Sequence, residues 1–503
     1  MEPISRLPRS PARSPRVPCP RQTAPATIAG VAVGSTNDFD LVVLGGGTGG
    51  YSAAFRASQL GLKVALVERD KIGGVCLHIG CIPTKALLES AEFFRRVSKH
   101  AAEFGVKVAE PTVDYPAMAK RRDAVVDRLH KGLQSLVKKN KVTYFAGRGR
   151  LEGGRKVAVA LNEGGEIHLR GTDVILATGS RVKNLPGLEI DGQHTVTSDD
   201  LLRMDRPPKS VAIIGGGAVG VEFASLYADL GIPVALLEYL PSLVPLEDRE
   251  IGQELERSFK RRGVTVMTNA RFDATKVSRE DGGVCLMAGP EGGEQQEVRA
   301  EMLLVAVGRE PITDDVGLET TRAKKDGRGF VQTDRFMRTA EPHLFAIGDI
   351  VPSYGLAHVA AHEGIVAVER IVEANPQPID YTQMPRVTFC RPQVATLGLS
   401  EQECAEQGTE VRVGKFPFLA NGKALITGDY EGFVKVIARK SDDVLLGVHM
   451  IGPHVTDVIS EASVAKLLEA SAWEMGAAVH PHPTLAEALG EAALAVDGKA
   501  INF

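Results

Sequence analysis

The chain has 503 residues, 44% of them apolar and 24% charged, and a formal net charge of −4. That is the composition of a folded globular protein of about three to four domains, and it excludes a wholly disordered chain, a collagen-like repeat and a disulfide scaffold. Neither nucleic acid nor a membrane is indicated as a partner, since no basic excess exists and no run nears the roughly 18 apolar residues of a membrane span.

Residues 1–37 hold five Arg, one acidic residue and seven of the 28 Pro. Proline at that density forbids an amphipathic helix, so this stretch reads as a disordered N-terminal extension. Folding is predicted to begin at Asp38. Residues 39–44 have the pattern of a short buried strand. Gly45-Gly-Gly-Thr-Gly-Gly50, a helix over 51–60, a strand over 63–67 and Glu68 follow. This is the layout of a dinucleotide-binding unit. Gly45 permits the tight turn, Gly47 lets backbone approach a pyrophosphate, and Gly50 lets the helix lie close on the strand. The helix N-terminus faces the phosphates, and Glu68 can bind ribose hydroxyls. A lone G-x-G-x-x-G is weak evidence; the strand, helix and acid around it strengthen it.

Six cysteines are present, and Cys19, Cys285, Cys390 and Cys404 are scattered singly. A reducing compartment such as the cytoplasm is therefore expected. Cys76 and Cys81 form the one close pair. Zinc would need two further ligands at tight spacing, and none accompanies the pair, so no metal is expected. A redox disulfide closing a short loop fits better, the alternative being two structural thiols. Pro83 suits a first helical turn, which would set Cys81 near a helix N-terminus with Lys85 one turn on. Both features favour a thiolate.

Helical periodicity follows over 84–100 and 115–139, and 142–169 reads as short strands punctuated by Gly. The dinucleotide pattern then recurs: a strand over 210–214, Gly215-Gly-Gly-Ala-Val-Gly220, a helix over 221–230, a strand over 234–237, and Glu238. The interval from first Gly to acid is 23 residues in both units. Gly215, Gly217 and Gly220 take the roles of their counterparts, so two dinucleotides are expected. No Arg or Lys follows Glu238 until Arg249. A 2′-phosphate would meet a carboxylate and no nearby cation, so the second nucleotide reads as NAD rather than NADP.

The stretch 73–89, GGVCLHIGCIPTKALLE, resembles the active-site segment of the flavin-dependent pyridine nucleotide-disulfide oxidoreductases, most closely the branch that oxidises dihydrolipoamide. The resemblance extends over about 38–503. It includes Ile-Leu-Ala-Thr178-Gly179, the hinge at Val-Gly308-Arg-Glu-Pro, TAEPHLFAIGDI ending at Ile350, and His480-Pro-His-Pro-Thr-Leu-Ala-Glu487. It implies an α/β fold with two Rossmann-like dinucleotide-binding domains, for FAD and NAD, and a C-terminal α+β interface domain. The implied boundaries are 38–186 for FAD, 187–306 for NAD, 307–378 for a central segment completing the FAD site, and 379–503 for a homodimer interface. Gly149, Thr178, Gly179, Gly308, Asp349, Ala357 and His358 are implied on the cofactor side, with Glu222 as partner of Lys85.

A dithiol must lose protons before it attacks a disulfide, so a base titrating near neutral pH is required. His480 and His482 are candidates, and Glu487 could fix the tautomer of the second. The resemblance places the base at His482, with a cis His482–Pro483 bond turning the ring toward the partner subunit. It implies oxidation of protein-bound dihydrolipoamide through a Cys76–Cys81 disulfide and FAD. The partners would be lipoyl domains of a 2-oxoacid dehydrogenase or glycine cleavage complex. Two rivals stand beside it: another NAD(P)H-dependent disulfide or quinone reductase of the superfamily, and a redox-inactive scaffold subunit. Departures from the family pattern are Val75 for Thr, His362 for an acid, and the segment 389–393. The extra C-terminal cysteine pair of mercuric reductases is absent.

Overall fold

The structure, a computed structural model, describes residues 37–153, 155–280 and 282–503. All but the last residue of the predicted extension lies outside them. The strand Asp38–Leu44 pairs in parallel with both Val64–Glu68 and Glu166–Leu176. Its unbroken apolar run is what a strand covered on both faces requires. Leu344–Ala346 joins the far side of Glu166–Leu176, also in parallel, so the first sheet recruits chain from well beyond the second nucleotide unit. The predicted meander is the antiparallel set Thr143–Leu151, Lys156–Leu161 and Glu166–Leu176.

The second sheet is wholly parallel, in the order Thr265–Met267, Val234–Leu237, Val211–Ile214, Met302–Val305, Thr195–Val196. A small antiparallel sheet containing Ala270–Phe272 and Gly283–Pro290 packs beside it. The C-terminal part is a five-stranded sheet in which every pairing is antiparallel. The helices Val455–Leu467 and Glu487–Ala495 cover it. Two doubly wound nucleotide-binding units and an α+β unit are thus present, the fold class expected. Among the described residues no helix is long and apolar enough to cross a membrane.

The long helix has the predicted ends, Tyr115–Lys139. Asp114 caps it by accepting from the Ala117 amide at 3.0 Å, Pro116 lies in its first turn, and Lys138 and Lys139 in its last. Each of these suits its end of the macrodipole or its missing donor. Elsewhere the structure corrects the expectation. The segment between the two cysteines is not an open loop: Gly74–Ile79 is a short helix, and Cys81–Arg95 starts a second one after Gly80. The helix predicted over 84–100 ends at Arg95 and continues as a π-turn, Arg96–His100.

Two buried charge clusters join the units. Asp229 is bound by Arg262 and Arg391, each at 2.9 Å, with Arg95 at 3.8 Å. Burial works to raise its pKa, but the guanidinium groups outweigh this and hold the carboxyl below its ordinary range. The unusual segment 389–393 thus has a structural role. The Arg391 amide also donates to Ser225 at 2.9 Å, and Cys390 is buried. In the second cluster Lys435, 1% exposed, meets Asp248 at 3.0 Å, Glu250 at 2.8 Å and Glu401 at 2.6 Å. Arg386 pairs with Glu247 at 2.9 Å beside it. His362 is exposed, although desolvation by the protein around it lowers its pKa; nothing in the structure explains its replacing an acid.

Candidate active site

The two glycine turns are built alike. A Cβ on Gly45 would lie 2.1 Å from the Ala177 carbonyl oxygen, and one on Gly50 1.8 Å from that of Gly45. In the second unit the corresponding distances are 2.3 Å at Gly215 and 1.8 Å at Gly220. No atom stands within 4 Å of where a Cβ would be on Gly47 or Gly217, which leaves backbone open to a phosphate. Gly50→Ala is therefore expected to lose FAD. Its methyl cannot fit without displacing the turn, and the check is flavin absorbance per purified chain against wild type.

The first turn opens on a cavity of about 460 Å³. Of the predicted cofactor residues, Gly45, Gly47, Glu68, Lys85, Gly149, Thr178, Gly179, Glu222, Asp349 and Ala357 line it, together with Cys76 and Cys81. Gly50 is buried beneath it, packed on Gly45. Glu68 accepts from the Gly46 amide at 2.7 Å and the Asp70 amide at 2.8 Å. Asp349 accepts from Ser180 at 2.5 Å. A Cβ on Gly149 would come within 2.6 Å of a Leu44 methyl, so a larger residue there would displace that side chain. His358 and Gly308 are not brought to this cavity; the His358 ring is 2.7 Å from the Pro385 carbonyl. His78, which the sequence did not single out, does line it, with Nε2 2.9 Å from the Ile72 carbonyl. An open glycine turn, a carboxylate beside it and a lined cleft fit FAD.

Glycines also pin the cysteine helix. Gly73 and Gly74 have φ of +110° and +60°, and a Cβ on Gly74 would come within 2.8 Å of the Gly47 Cα. Gly74–Ile79 therefore sits directly on the first turn and carries Cys76 into the cavity. Cys81 opens the helix Cys81–Arg95. The hydrogen bond with Cys76 pulls the Cys81 thiol down to about 7, against burial and with help from the Lys85 ammonium. The same hydrogen bond and burial push Cys76 well up, so the negative charge of the reduced pair rests on Cys81. Lys85 is held by both oxygens of Glu222, at 2.7 and 2.8 Å, and Glu222 also accepts from the Phe389 amide at 2.9 Å. This ion pair bridges the two nucleotide units.

A thiolate reacts where a thiol does not. In the reduced protein, alkylation of Cys81 by iodoacetamide should rise with pH through a midpoint near 7 and level off above it. Lys85→Met should move that midpoint upward, by removing the charge that favours the thiolate. Mass spectrometry of the peptide containing Cys81 across pH 5–9 is the check; a midpoint unchanged in the variant would remove Lys85 from this role.

In the second unit Glu238 is buried and accepts from the Gly216 amide at 2.5 Å and the Leu240 amide at 2.6 Å. One expectation needs correction: a cation is nearby. Arg271, 32 residues on from Tyr239, donates to the Tyr239 carbonyl at 2.7 Å, with its guanidinium 3.4 Å above the Tyr239 ring. It belongs to the neighbouring antiparallel sheet, so no local spacing could reveal it.

His482 Nδ1 is 2.8 Å from Glu487, whose other oxygen accepts from the Thr484 amide at 2.7 Å. The His482–Pro483 bond is cis. The His482 side chain is 79% exposed and is not part of the cavity wall, so within one chain it stands apart from the cysteines. His480 is the more buried of the two and is tied to Glu461 at 2.7 Å.

A family profile described as pyridine nucleotide-disulphide oxidoreductase matches residues 39–364, and one for its dimerisation domain matches 384–493. The chain is 46% identical over 474 residues to a dihydrolipoyl dehydrogenase of Bacillus subtilis, covering 93% of this chain and 99% of that one. It is 39% identical over 477 residues to the mitochondrial dihydrolipoyl dehydrogenase 1 of Arabidopsis thaliana, covering 94% and 93%. Among solved structures, LpdA of Mycobacterium tuberculosis matches with a TM-score of 0.84 at 26% identity, over 90% of this chain and 98% of that one. These matches run through both glycine units, the cysteine pair and the C-terminal sheet: the chain belongs to the pyridine nucleotide-disulphide oxidoreductase family.

Proposed function

We propose that the protein oxidises dihydrolipoamide, borne on lipoyl domains of a 2-oxoacid dehydrogenase or glycine cleavage complex, to lipoamide and reduces NAD⁺. The observation that carries this reading is that Cys76 and Cys81 line the same cavity as the first glycine turn and the Lys85–Glu222 bridge to the second unit. FAD, when bound there, supplies the two-electron relay between the cysteine pair and NAD⁺.

The chain's own residues do the rest. His482 of the partner subunit, its Nδ1 held by Glu487, takes a proton from one substrate thiol at Nε2. The substrate thiolate attacks the Cys76 sulfur, the Cys76–Cys81 bond breaks, and Cys81 leaves as the thiolate that Lys85 and its helix N-terminus favour. The second substrate thiol, deprotonated in turn, attacks the mixed disulfide and closes lipoamide. Cys76, whose thiol is the more basic, leaves with the proton of that second thiol, while the first proton stays on the imidazolium. The substrate has lost two electrons, and the dithiol now holds them. Glu238 selects NAD by accepting ribose hydroxyls where a 2′-phosphate would be repelled. A homodimer is needed to bring His482 to the cysteines, and the scattered thiols suit a reducing compartment such as the cytoplasm.

The test is NADH-dependent reduction of lipoamide by the purified yellow protein, with NADPH in parallel. NADH should be preferred by about a hundredfold, the scale of one or two charge-assisted hydrogen bonds. Comparable rates with NADPH would refute the nucleotide assignment. Turnover of quinones without lipoamide would place the chain in another branch, and a yellow protein with no turnover would make it a scaffold.

A further inference from the structure

Resting on the reading that the second unit binds NAD, we propose that Arg271 is a latent 2′-phosphate-binding residue there, masked by Glu238. The Glu238 carboxylate fills what is otherwise an anion pocket, and that carboxylate, not the lack of a cation, turns NADP away.

The argument is geometric. The amide of Leu240 donates to one Glu238 oxygen at 2.6 Å, and the carbonyl of that same peptide unit, belonging to Tyr239, accepts from Arg271 Nη1 at 2.7 Å. A single peptide group therefore separates the carboxylate from the guanidinium. Backbone bonds fix this arrangement: the Ala270 amide donates to the Glu238 carbonyl at 2.8 Å, and the Asn269 amide to that of Leu240 at 3.0 Å. The guanidinium lies 3.4 Å above the Tyr239 ring. Its paired carboxylate, Glu291, is 3.7 Å away with an 84% exposed side chain. A pair so long and so wet leaves most of the positive charge available to a ligand.

The first unit supplies the control. Glu68 accepts from the Gly46 and Asp70 amides just as Glu238 accepts from those of Gly216 and Leu240. At the position of Tyr239 stands Arg69, and its carbonyl accepts from the neutral amide of Asn162 at 3.0 Å. The two units agree up to this point, and only in the second does a guanidinium donate to that carbonyl. Without the Glu238 side chain, two backbone N–H groups face the vacated space with a guanidinium one peptide behind. That is a donor set suited to a phosphate, and the 2′-phosphate is what distinguishes NADP.

Direct titration of the FAD-loaded protein with NAD⁺ and with NADP⁺, in the absence of any dithiol, tests this for wild type, Glu238→Ala and Glu238→Ala/Arg271→Gln. Glu238→Ala should bind NAD⁺ about tenfold more weakly and NADP⁺ at least about tenfold more tightly than wild type; adding Arg271→Gln should remove the NADP⁺ gain. Flavin content reports folding, and Glu238→Ser carries the same comparison should the alanine variant lose FAD. NAD⁺ binding in wild type with no NADP⁺ gain in Glu238→Ala would overturn the proposal and leave the nucleotide reading standing. A double variant that keeps the gain would likewise overturn it. Wild type that binds no NAD⁺ would refute the nucleotide reading and the proposal together. A different dithiol substrate changes none of these results.

Discussion

Replacing Cys76 by Ser is expected to lower lipoamide turnover by on the order of 10⁴-fold or more, with FAD still bound, because residues that act as one covalent relay fail together. Serine preserves the helix Gly74–Ile79 and its seat on the first glycine turn, so the cofactor cavity is left intact. What is lost is the sulfur that receives the substrate. Cys81→Ser should be as damaging for a different reason: no leaving thiolate remains. The two variants separate in the reduced protein. With Cys76→Ser, Cys81 should still be alkylated, because the serine hydroxyl can donate to its sulfur in place of the Cys76 thiol. With Cys81→Ser, alkylation at neutral pH should nearly cease, since burial keeps Cys76 a thiol. Rapid labelling of Cys76 at pH 7 in Cys81→Ser would show that the two sulfurs have been assigned the wrong way round.

His482→Gln should cost about 10²- to 10⁴-fold in turnover, the usual range for a positioned general base. Its dependence on subunit arrangement is the stronger test. The imidazole is four-fifths exposed, its partner Glu487 belongs to the same chain, and it does not line the cavity that Cys76 and Cys81 share. A dimer of one Cys76→Ser subunit and one His482→Gln subunit should contain one dead site and one intact site, and so recover about half the wild-type dimer's turnover. Both homodimers should remain nearly inactive. A purified heterodimer without recovery would put the histidine and the disulfide in one chain. Glu487→Gln adds an independent check: it should keep the ring hydrogen-bonded and yet lower turnover, because a neutral amide stabilises the imidazolium less than a carboxylate does.

Much of this site is legible in the residues because its parts are local. Each glycine unit is a contiguous stretch of strand, turn and helix, and the helix Tyr115–Lys139 announces itself by its cap, its proline and its terminal lysines. The helices begin at Thr48 and Ala218, three residues before the predicted 51 and 221, because the last glycines of each turn adopt helical backbone. The short helix bearing Cys76 was hidden for a related reason: flanking glycines read as loop, whereas left-handed backbone at Gly73 and Gly74 is what starts it. Nonlocal charge is legible only where the resemblance supplies it, as at Lys85 and Glu222. Arg271 reaches Tyr239 from another sheet, and Lys435 meets Asp248 from 187 residues away. The choice between His480 and His482 turns on Glu461, whose pairing with His480 only the fold displays.

Lys435 also bears on how such proteins can be recombined. Its ammonium is almost wholly enclosed, and two of its three carboxylate partners, Asp248 and Glu250, come from the unit that carries Glu238. Cutting the chain between that unit and the C-terminal sheet would leave Lys435 with Glu401 alone on one fragment, and Asp248 and Glu250 without their lysine on the other. Breaking a buried pair in this way costs far more than the intact pair contributes. The nucleotide cassette is therefore no interchangeable module. A graft from a relative would have to bring both sides of the charge lock with it, so inheritance and engineering alike must treat the nucleotide unit and the dimerisation sheet as one piece.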